Sequence, residues 1–458
     1  MKTFLYLIIT STFLLFSQTS FAQKKSNTLP KRPKLVIGIV VDQMRYEYLY
    51  KYADRYVDGG FKRLMKEGLN CQENHYNYAP TVTAAGHTSV YTGTVPSVHG
   101  IVGNDWTDVA SGKKVYCTED STVKTVGTTG KTGWMSPKNL WTSTITDQLK
   151  MAQNYKSKTI AIALKDRGAI LPGGHTANAA YWYDSKEGRW ISSSFYFNEL
   201  PSWVQSFNAE ERALKYVQKG WNTIYPIETY TQSAEDENKF EGKLPGEKST
   251  SFPHDLKGGN PLEVIRTTPY GNSITKDFAL KALENEKLGK NGSTDFLAIS
   301  FSSTDYVGHN FGPQSIELED TYLRLDKDIA EILTYLDVQY GKDQVLVFLT
   351  ADHAVAEVPG YANSKKLPGG VFDRNGSISD MKKAINQPDR MHFHHIMIRL
   401  LARLTGKRHS DPDLNPLATL ALMPFFAAPA VLGVVFWNSP LLALLALVVF
   451  TALFMLSY

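Results

Sequence analysis

Short continuous apolar runs recur along the chain: Leu35 to Val41 (LVIGIVV), the run in KTIAIALKDRGAI from Lys158 (read as a strand that ends in Lys165 and Arg167), Phe296 to Phe301, and VLVFL from Val345. Each is of strand length and none alternates apolar with polar positions. That pattern predicts buried parallel strands rather than strands with one face in water. Between them lie stretches of helical character. GGFKRLMKEG (59–68) has clear start and stop signals, and WTSTITDQLKMAQ from Trp141 follows a helical pattern. In 315–340, Ile316, Leu323, Leu325, Ile329, Ile332 and Leu336 are separated by charges, so this helix packs on a sheet by one face. The resulting expectation is an α/β fold, a parallel sheet core with helices on both faces.

Two segments break the pattern. Asp105 to Leu140 is polar, aromatic-rich and without a sustained period, which predicts a loop-dominated insertion. Tyr181 to Pro269 mixes aromatic, Pro, Gly and charged residues, and is expected to form a subdomain or lid inserted between core strands.

The ends differ from the middle. Lys2, an apolar run from Phe4 to Phe16 and Ser20-Phe21-Ala22 match a secretory signal peptide with cleavage before Gln23. A basic lead-in with Lys24, Lys25, Lys31, Arg32 and Lys34 follows. At the other end, Leu414 to Trp437 and Leu441 to Leu456 are apolar runs separated by Asn438-Ser439-Pro440, which predicts a hydrophobic helical hairpin in a membrane. Arg399, Arg403, Lys407 and Arg408 precede it, and such charge favours the cytoplasmic side, opposite to a secreted domain. The expected division is a leader at 1–22, a catalytic domain at 23–387 and a membrane-like tail of different origin at 388–458. The location is then the periplasm or cell envelope, with anchoring through the tail.

Composition changes little. With 458 residues, 43% hydrophobic and 21% charged, the chain is ordinary globular material. A net charge of +4 gives no case for a nucleic-acid partner, yet does not repel a small anion. Cys71 and Cys117 could pair or stay free, and their spacing does not decide.

The candidate chemistry sits at the strand ends. Asp42 follows the first run, Asp305 and then His309 follow the Phe296–Phe301 run, and adjacent Asp352 and His353 follow the last. Ligands in open α/β sheets gather beyond the carboxyl ends of strands, and Asp with His is a zinc-type donor set. Thr83, in PTVTAAGHTSVYTGTVPSVHGIVGN (80–104), is the candidate nucleophile. Its hydroxyl needs a base or a metal to become reactive. A threonine there could equally serve as a helix N-cap.

These residues also carry a resemblance. VVDQMR, PTVTAAGHTS, LKDR, STDYVGHNFGP and TADH, spread over Lys34 to about Ala356, resemble the PafA-type branch of the alkaline phosphatase superfamily. The resemblance favours Thr83 over Thr81 as nucleophile and implies two Zn2+ ions. One would be held by Asp42, Asp352, His353 and Thr83, the other by Asp305, His309 and a third histidine from further along. It further implies that Asn104, Lys165 and Arg167 contact the phosphoryl oxygens, and that small phosphate monoesters are hydrolysed through a phosphothreonine. A phosphodiesterase or nucleotide pyrophosphatase of the same superfamily is the alternative, as is an inactive chimeric fragment.

Beyond about Gly376 the expected continuation with its third histidine motif is missing. PDRMHFHH, with His392, His394 and His395, instead resembles the carboxyl end of WecA-type polyprenyl-phosphate sugar-1-phosphate transferases, without their earlier motifs. The expectation is therefore a chain that binds about one zinc tightly and hydrolyses monoesters poorly, because a catalytic zinc ordinarily has three protein ligands.

Overall fold

The computed structural model describes residues 32–371 together with 401, 404 and 405. The chain divides into two units, Met1–Gly369 and Gly370–Tyr458, and the fold described is that of the first. The leader at 1–22, the three tail histidines and both apolar runs of the tail lie outside the described residues. Among the described residues no helix is long and apolar enough to cross a membrane.

The strands are β1 (Leu35–Val41), β2 (Asp105–Thr107), β3 (Lys114–Tyr116), β4 (Thr125–Val126), β5 (Thr159–Ala163), β6 (Ala179–Asp184), β7 (Arg189–Ser193), β8 (Asp295–Phe301) and β9 (Val345–Thr350). Seven of them form one sheet in the order β4-β7-β6-β5-β8-β1-β9, and β2 pairs with β3 as a separate hairpin. From β6 to β9 the neighbours run parallel, whereas β7 and β4 are added antiparallel at the far side. Register aligns the strand ends: Val41 lies opposite Phe301, and Val40 opposite Thr350. The residues that follow β1, β8 and β9 are thereby delivered to one edge.

Alternate residues of the central strands face two different cores. Ile37, Ile39 and Val41 join Ile162, Ile299 and Phe301 beneath Phe278, Leu325 and Ile329, while Val40, Ala161, Ala163 and Ala298 meet Tyr91 and Ile170 on the other face. Helices therefore cover both faces, as the unbroken apolar runs require. The long helix Ile316–Tyr340 buries all six of the apolar positions that its sequence pattern marks. Burying each is worth about 1.5–3 kcal/mol before entropy is counted. Ser315 caps it by accepting from the Leu318 N–H, and Gly341 ends it at φ +86°. Helices Phe61–Glu67 and Ile145–Ala152 form where the sequence predicts them, the latter with Thr144 and Asp147 in a reciprocal capping box.

The structure corrects four expectations. The strand read through Lys165 and Arg167 ends at Ala163; Lys165 is the N-cap of helix Asp166–Gly173 and Arg167 lies in its first turn. Asp105–Leu140 is loop-dominated as expected but is not an insertion apart from the sheet, because besides the β2–β3 hairpin it contains β4, which extends the main sheet. The segment from Tyr181 starts within the sheet, on β6 and β7, so an insertion can begin only after Ser193. Finally, β9 is a partly exposed edge strand with Leu346 55% accessible, not a strand buried on both faces.

Candidate active site

Asp42 follows β1 directly and is fully buried. The next residue, Gln43, turns the chain with φ +66°, a conformation that costs a non-glycine residue energy, and its hydrogen bonds hold it there. The Gln43 N–H donates to Asp352 Oδ1 at 3.1 Å, and its side-chain Nε2 donates to Asp305 Oδ1 at 2.9 Å. One turn residue thus ties the ends of β1, β8 and β9 together. Helix Ser303–Phe311 carries Asp305 in its first turn and His309 one turn later, so the two share a face, with His309 Nε2 3.1 Å from Asp305 Oδ1.

Asp42, Asp305 and His353 each offer a ligand atom within 4.8 Å of the others. His353 Nε2 lies 3.3 Å from Asp42 Oδ1, 3.7 Å from Asp352 Oδ2 and 3.9 Å from Asp305 Oδ1, while its Nδ1 pairs with the Ala354 carbonyl at 2.8 Å. This grouping crosses the division that the resemblance implies, since Asp305 sits with Asp42 and His353. Between Asp42 and Asp305 lies the buried ammonium of Lys165, 2.7 Å from Asp42 Oδ2 and 2.5 Å from Asp305 Oδ2.

Thr83 opens helix Thr83–Thr92 and is 3% exposed, whereas Thr81 faces solvent. The N-cap is Val82, without a side-chain cap, so Thr83 is not there to cap the helix. Its Oγ1 lies 3.4 Å from Lys165 Nζ, at the positive end of the helix dipole. Asn104 accepts from the Ala84 N–H at 2.9 Å through Oδ1, and among the described residues its amide N–H groups have no acceptor. Arg167 does not join the carboxylates; its Nη1 donates to the Tyr116 hydroxyl at 3.0 Å.

Charge balance at the site follows from these contacts. Burial would raise the Asp352 carboxyl, but His87, His353 and Lys165 outweigh it and hold it down at about 2. Burial would lower the His353 imidazole, yet Asp42 and Asp352 push it up to about 9. Burial and Asp42 raise the Asp305 carboxyl; His309 and Lys165 more than offset them and leave it below its ordinary value. Burial opposes the charge on Lys165, and Asp42 with Asp305 raises its pKa regardless.

Two contributors escaped sequence reading as individuals: Gln43 and the fully buried His87. Both stand inside motifs already singled out, VVDQMR and PTVTAAGHTS, but nothing in the residue types marks them as structural ties. Cys71 and Cys117 are both free, one exposed and one buried.

Donor atoms of this kind suit a metal ion of the zinc type: among the described residues the buried oxygens Asp42 Oδ1 and Asp352 Oδ2 make no well-directed hydrogen bond and have the imidazoles of His353 and His87 beside them, at 3.3 and 3.1 Å. Comparison with known proteins identifies the family. The sequence profile of type I phosphodiesterases/nucleotide pyrophosphatases matches residues 36–395. The alkaline phosphatase PhoV of Synechococcus elongatus is 52% identical over 374 residues, covering 80% of this chain and 68% of PhoV. A protein named calcium-transporting ATPase, from Myroides odoratus, is 52% identical over 371 residues, again 80% and 68% of the two chains. The crystal structure of wild-type alkaline phosphatase PafA superposes with a TM-score of 0.75 at 48% identity, covering 78% of this chain and 69% of PafA. A PafA variant substituted at a threonine, an asparagine, a lysine and an arginine gives 0.76 at 42% identity, covering 86% and 78%. The chain belongs to the type I phosphodiesterase/nucleotide pyrophosphatase family, within the alkaline phosphatase superfamily and on its PafA-like branch.

Proposed function

We propose that this alkaline phosphatase-like hydrolase cleaves small phosphate monoesters by attack of Thr83 on phosphorus, through a covalent phosphothreonine. The observation that carries the reading is the meeting of Asp42, Asp305 and His353 at the ends of adjacent parallel strands, with Thr83 on a helix start beside the same lysine. Asp42, Asp352 and His353 would hold one Zn2+ beside Thr83, and Asp305 with His309 would hold a second. Bound zinc supplies Lewis acidity there, lowering the pKa of a hydroxyl and neutralising charge on phosphoryl and leaving oxygens.

The chain's own residues supply the rest. The start of helix Thr83–Thr92 orients the Thr83 hydroxyl and adds a favourable dipole for an anion. The amide N–H groups of Asn104, the ammonium of Lys165 and the guanidinium of Arg167 are donors for the equatorial oxygens, on which charge resides in a loose phosphoryl-transfer transition state. In the PafA variant the threonine and asparagine substitutions stand 21 positions apart and the lysine and arginine substitutions two apart, the spacings of Thr83 to Asn104 and of Lys165 to Arg167. That agreement supports these assignments. Export to the cell envelope fits the leader pattern of the first 22 residues.

The family also includes phosphodiesterases. A diester keeps one oxygen esterified and needs less cationic clamping, so the Lys165 and Arg167 pair favours the monoester. The test compares an aryl phosphate monoester with the matching methyl aryl diester on zinc-loaded protein. Faster monoester turnover, abolished in Thr83→Ala with zinc content retained, is expected. Faster diester turnover, or near-native turnover in Thr83→Ala, would overturn the reading.

A further inference from the structure

We propose that the β2–β3 hairpin is a bracket that sets the Arg167 guanidinium, with the Tyr116 hydroxyl as the positioning group, and couples it to Asn104. The inference rests on the reading of Arg167 and Asn104 as phosphoryl-oxygen donors. The Tyr116 hydroxyl donates to Asp166 Oδ1 at 2.8 Å and accepts from Arg167 Nη1 at 3.0 Å. A phenol has one proton and two lone pairs, so this one oxygen can donate to Asp166 and accept from Arg167 at the same time. The second oxygen of Asp166 accepts from the Thr118 hydroxyl, which fixes the carboxylate from the same side of the chain. Among the described residues the Tyr116 hydroxyl is the acceptor recorded for Arg167, and Arg167 Nε has none. The guanidinium is therefore held at one corner, with its other donors uncommitted.

The hairpin that supplies this hydroxyl also supplies Asn104. Tyr116 pairs across the ladder with Asp105, the residue after Asn104. The Cys117 N–H donates to the Asn104 carbonyl at 3.0 Å, and Asn139 Nδ2 reaches the carbonyls of both Tyr116 and Cys117 at 3.2 Å. Asn104 in turn grips the Ala84 N–H, next to the nucleophile. A shift of the hairpin would move the two donors together. A purely structural account of Tyr116 also exists, because its ring packs against the small apolar cluster of Ala84, Ile101, Cys117, Leu140 and Leu171. Tyr116→Phe keeps that packing and removes only the hydroxyl.

The experiment is a double-mutant cycle on zinc-loaded protein with an aryl phosphate monoester, reading kcat/KM, inhibition by inorganic phosphate and Tm. Tyr116→Phe is expected to lower kcat/KM about ten-fold, as loss of a hydrogen bond to a charged group does. Phosphate inhibition should weaken with it and Tm should hardly move. In an Arg167→Ala background the same substitution should change kcat/KM by less than about two-fold. Independent, multiplicative losses would overturn the proposal, as would a silent Tyr116→Phe. If Arg167→Ala itself is silent while Tyr116→Phe is not, the role of Arg167 fails and this inference falls with it. Should Tyr116→Phe fold poorly, Asp166→Asn removes the charge that fixes the hydroxyl, and it must show the same dependence on Arg167.

Discussion

The imidazole of His87 lies against the carboxylate of Asp352, Nδ1 to Oδ2 3.1 Å, with both side chains entirely out of water. The same Nδ1 is 2.9 Å from the Thr83 carbonyl, and Nε2 is 2.8 Å from Ser300 Oγ. His87 therefore links the helix that carries the nucleophile, a β8 hydroxyl and a carboxylate proposed to bind zinc. Groups that orient metal ligands in this way are worth about 10–100-fold in affinity. His87→Ala should weaken zinc binding by that amount, measured by competition with a chromophoric chelator and without reference to turnover. Unchanged affinity would mean that Asp352 is held by its backbone contacts alone.

Gly86 lets the nucleophile helix approach β9's end so closely. A Cβ there would press into the Asp352 backbone and lie 2.8 Å from the Asp352 Cβ, where no rotamer change gives relief. Alanine would gain about 0.5–1 kcal/mol of helix propensity, and overpacking should cost about 1–3 kcal/mol. Gly86→Ala is expected to lower both Tm and turnover. Gly93, at the end of the same helix, has φ +65° and nothing within 4 Å of a Cβ. Gly93→Ala should destabilise the fold by about the 1–2 kcal/mol of left-handed strain, lowering Tm, and leave kcat/KM alone. Equal losses of activity in the two would contradict the role given to close approach.

How far the sequence discloses the site depends on residue surroundings. Asp42, Asp305 and Asp352 were legible because each follows an unbroken apolar run, and parallel strands deliver such residues to one edge. Lys165 and Arg167 were legible as cations but wrongly placed on a strand. Apolar character continues through Leu164 and again from Ala169 to Leu171, so pattern alone does not mark where β5 gives way to a helix. The same limit explains β9, since an apolar run does not reveal whether it will be central or at an edge. Strands of two or three residues, such as β2 to β4, are too short to impose a period. His87, among small residues, carries no periodic signal at all.

Metal content follows from the ligand count. In the proposed division, Asp42, Asp352, His353 and Thr83 would make one nearly complete site, whereas among the described residues Asp305 and His309 would supply two ligands of the other, although the donor atoms that lie together are those of Asp42, Asp305 and His353. After desalting, about one zinc per chain should remain bound tightly, with the second exchanging freely, as a three-ligand norm implies. Chelation should abolish monoester hydrolysis, and added Zn2+ should restore it. Two zincs that survive desalting would place a third ligand elsewhere in the chain, with His392, His394 and His395 as the first substitutions to make.

Away from the site, Asp328 should make stability pH-dependent. It lies on helix Ile316–Tyr340, 8% exposed, and burial pushes its carboxyl up to about 7, with Asp277 and Glu331 adding to the rise. Lys276, 3.8 Å away, and the Ser273 hydroxyl, which donates at 2.9 Å, oppose the rise without cancelling it. The sign follows from proton counting. Between the ordinary value of 3.8 and about 7 the folded chain keeps a proton that the unfolded chain releases, so stability falls as pH climbs through that window. At ~1.4 kcal/mol per pKa unit the full loss is a few kcal/mol, as an upper bound. Asp328→Asn retains an acceptor for Ser273 and carries no proton to lose. Its Tm should exceed that of the parent by a few degrees at pH 8, and the difference should vanish by pH 4. Parallel Tm profiles for the two proteins between pH 4 and pH 8 would show that the Asp328 carboxylate is already neutralised by Lys276.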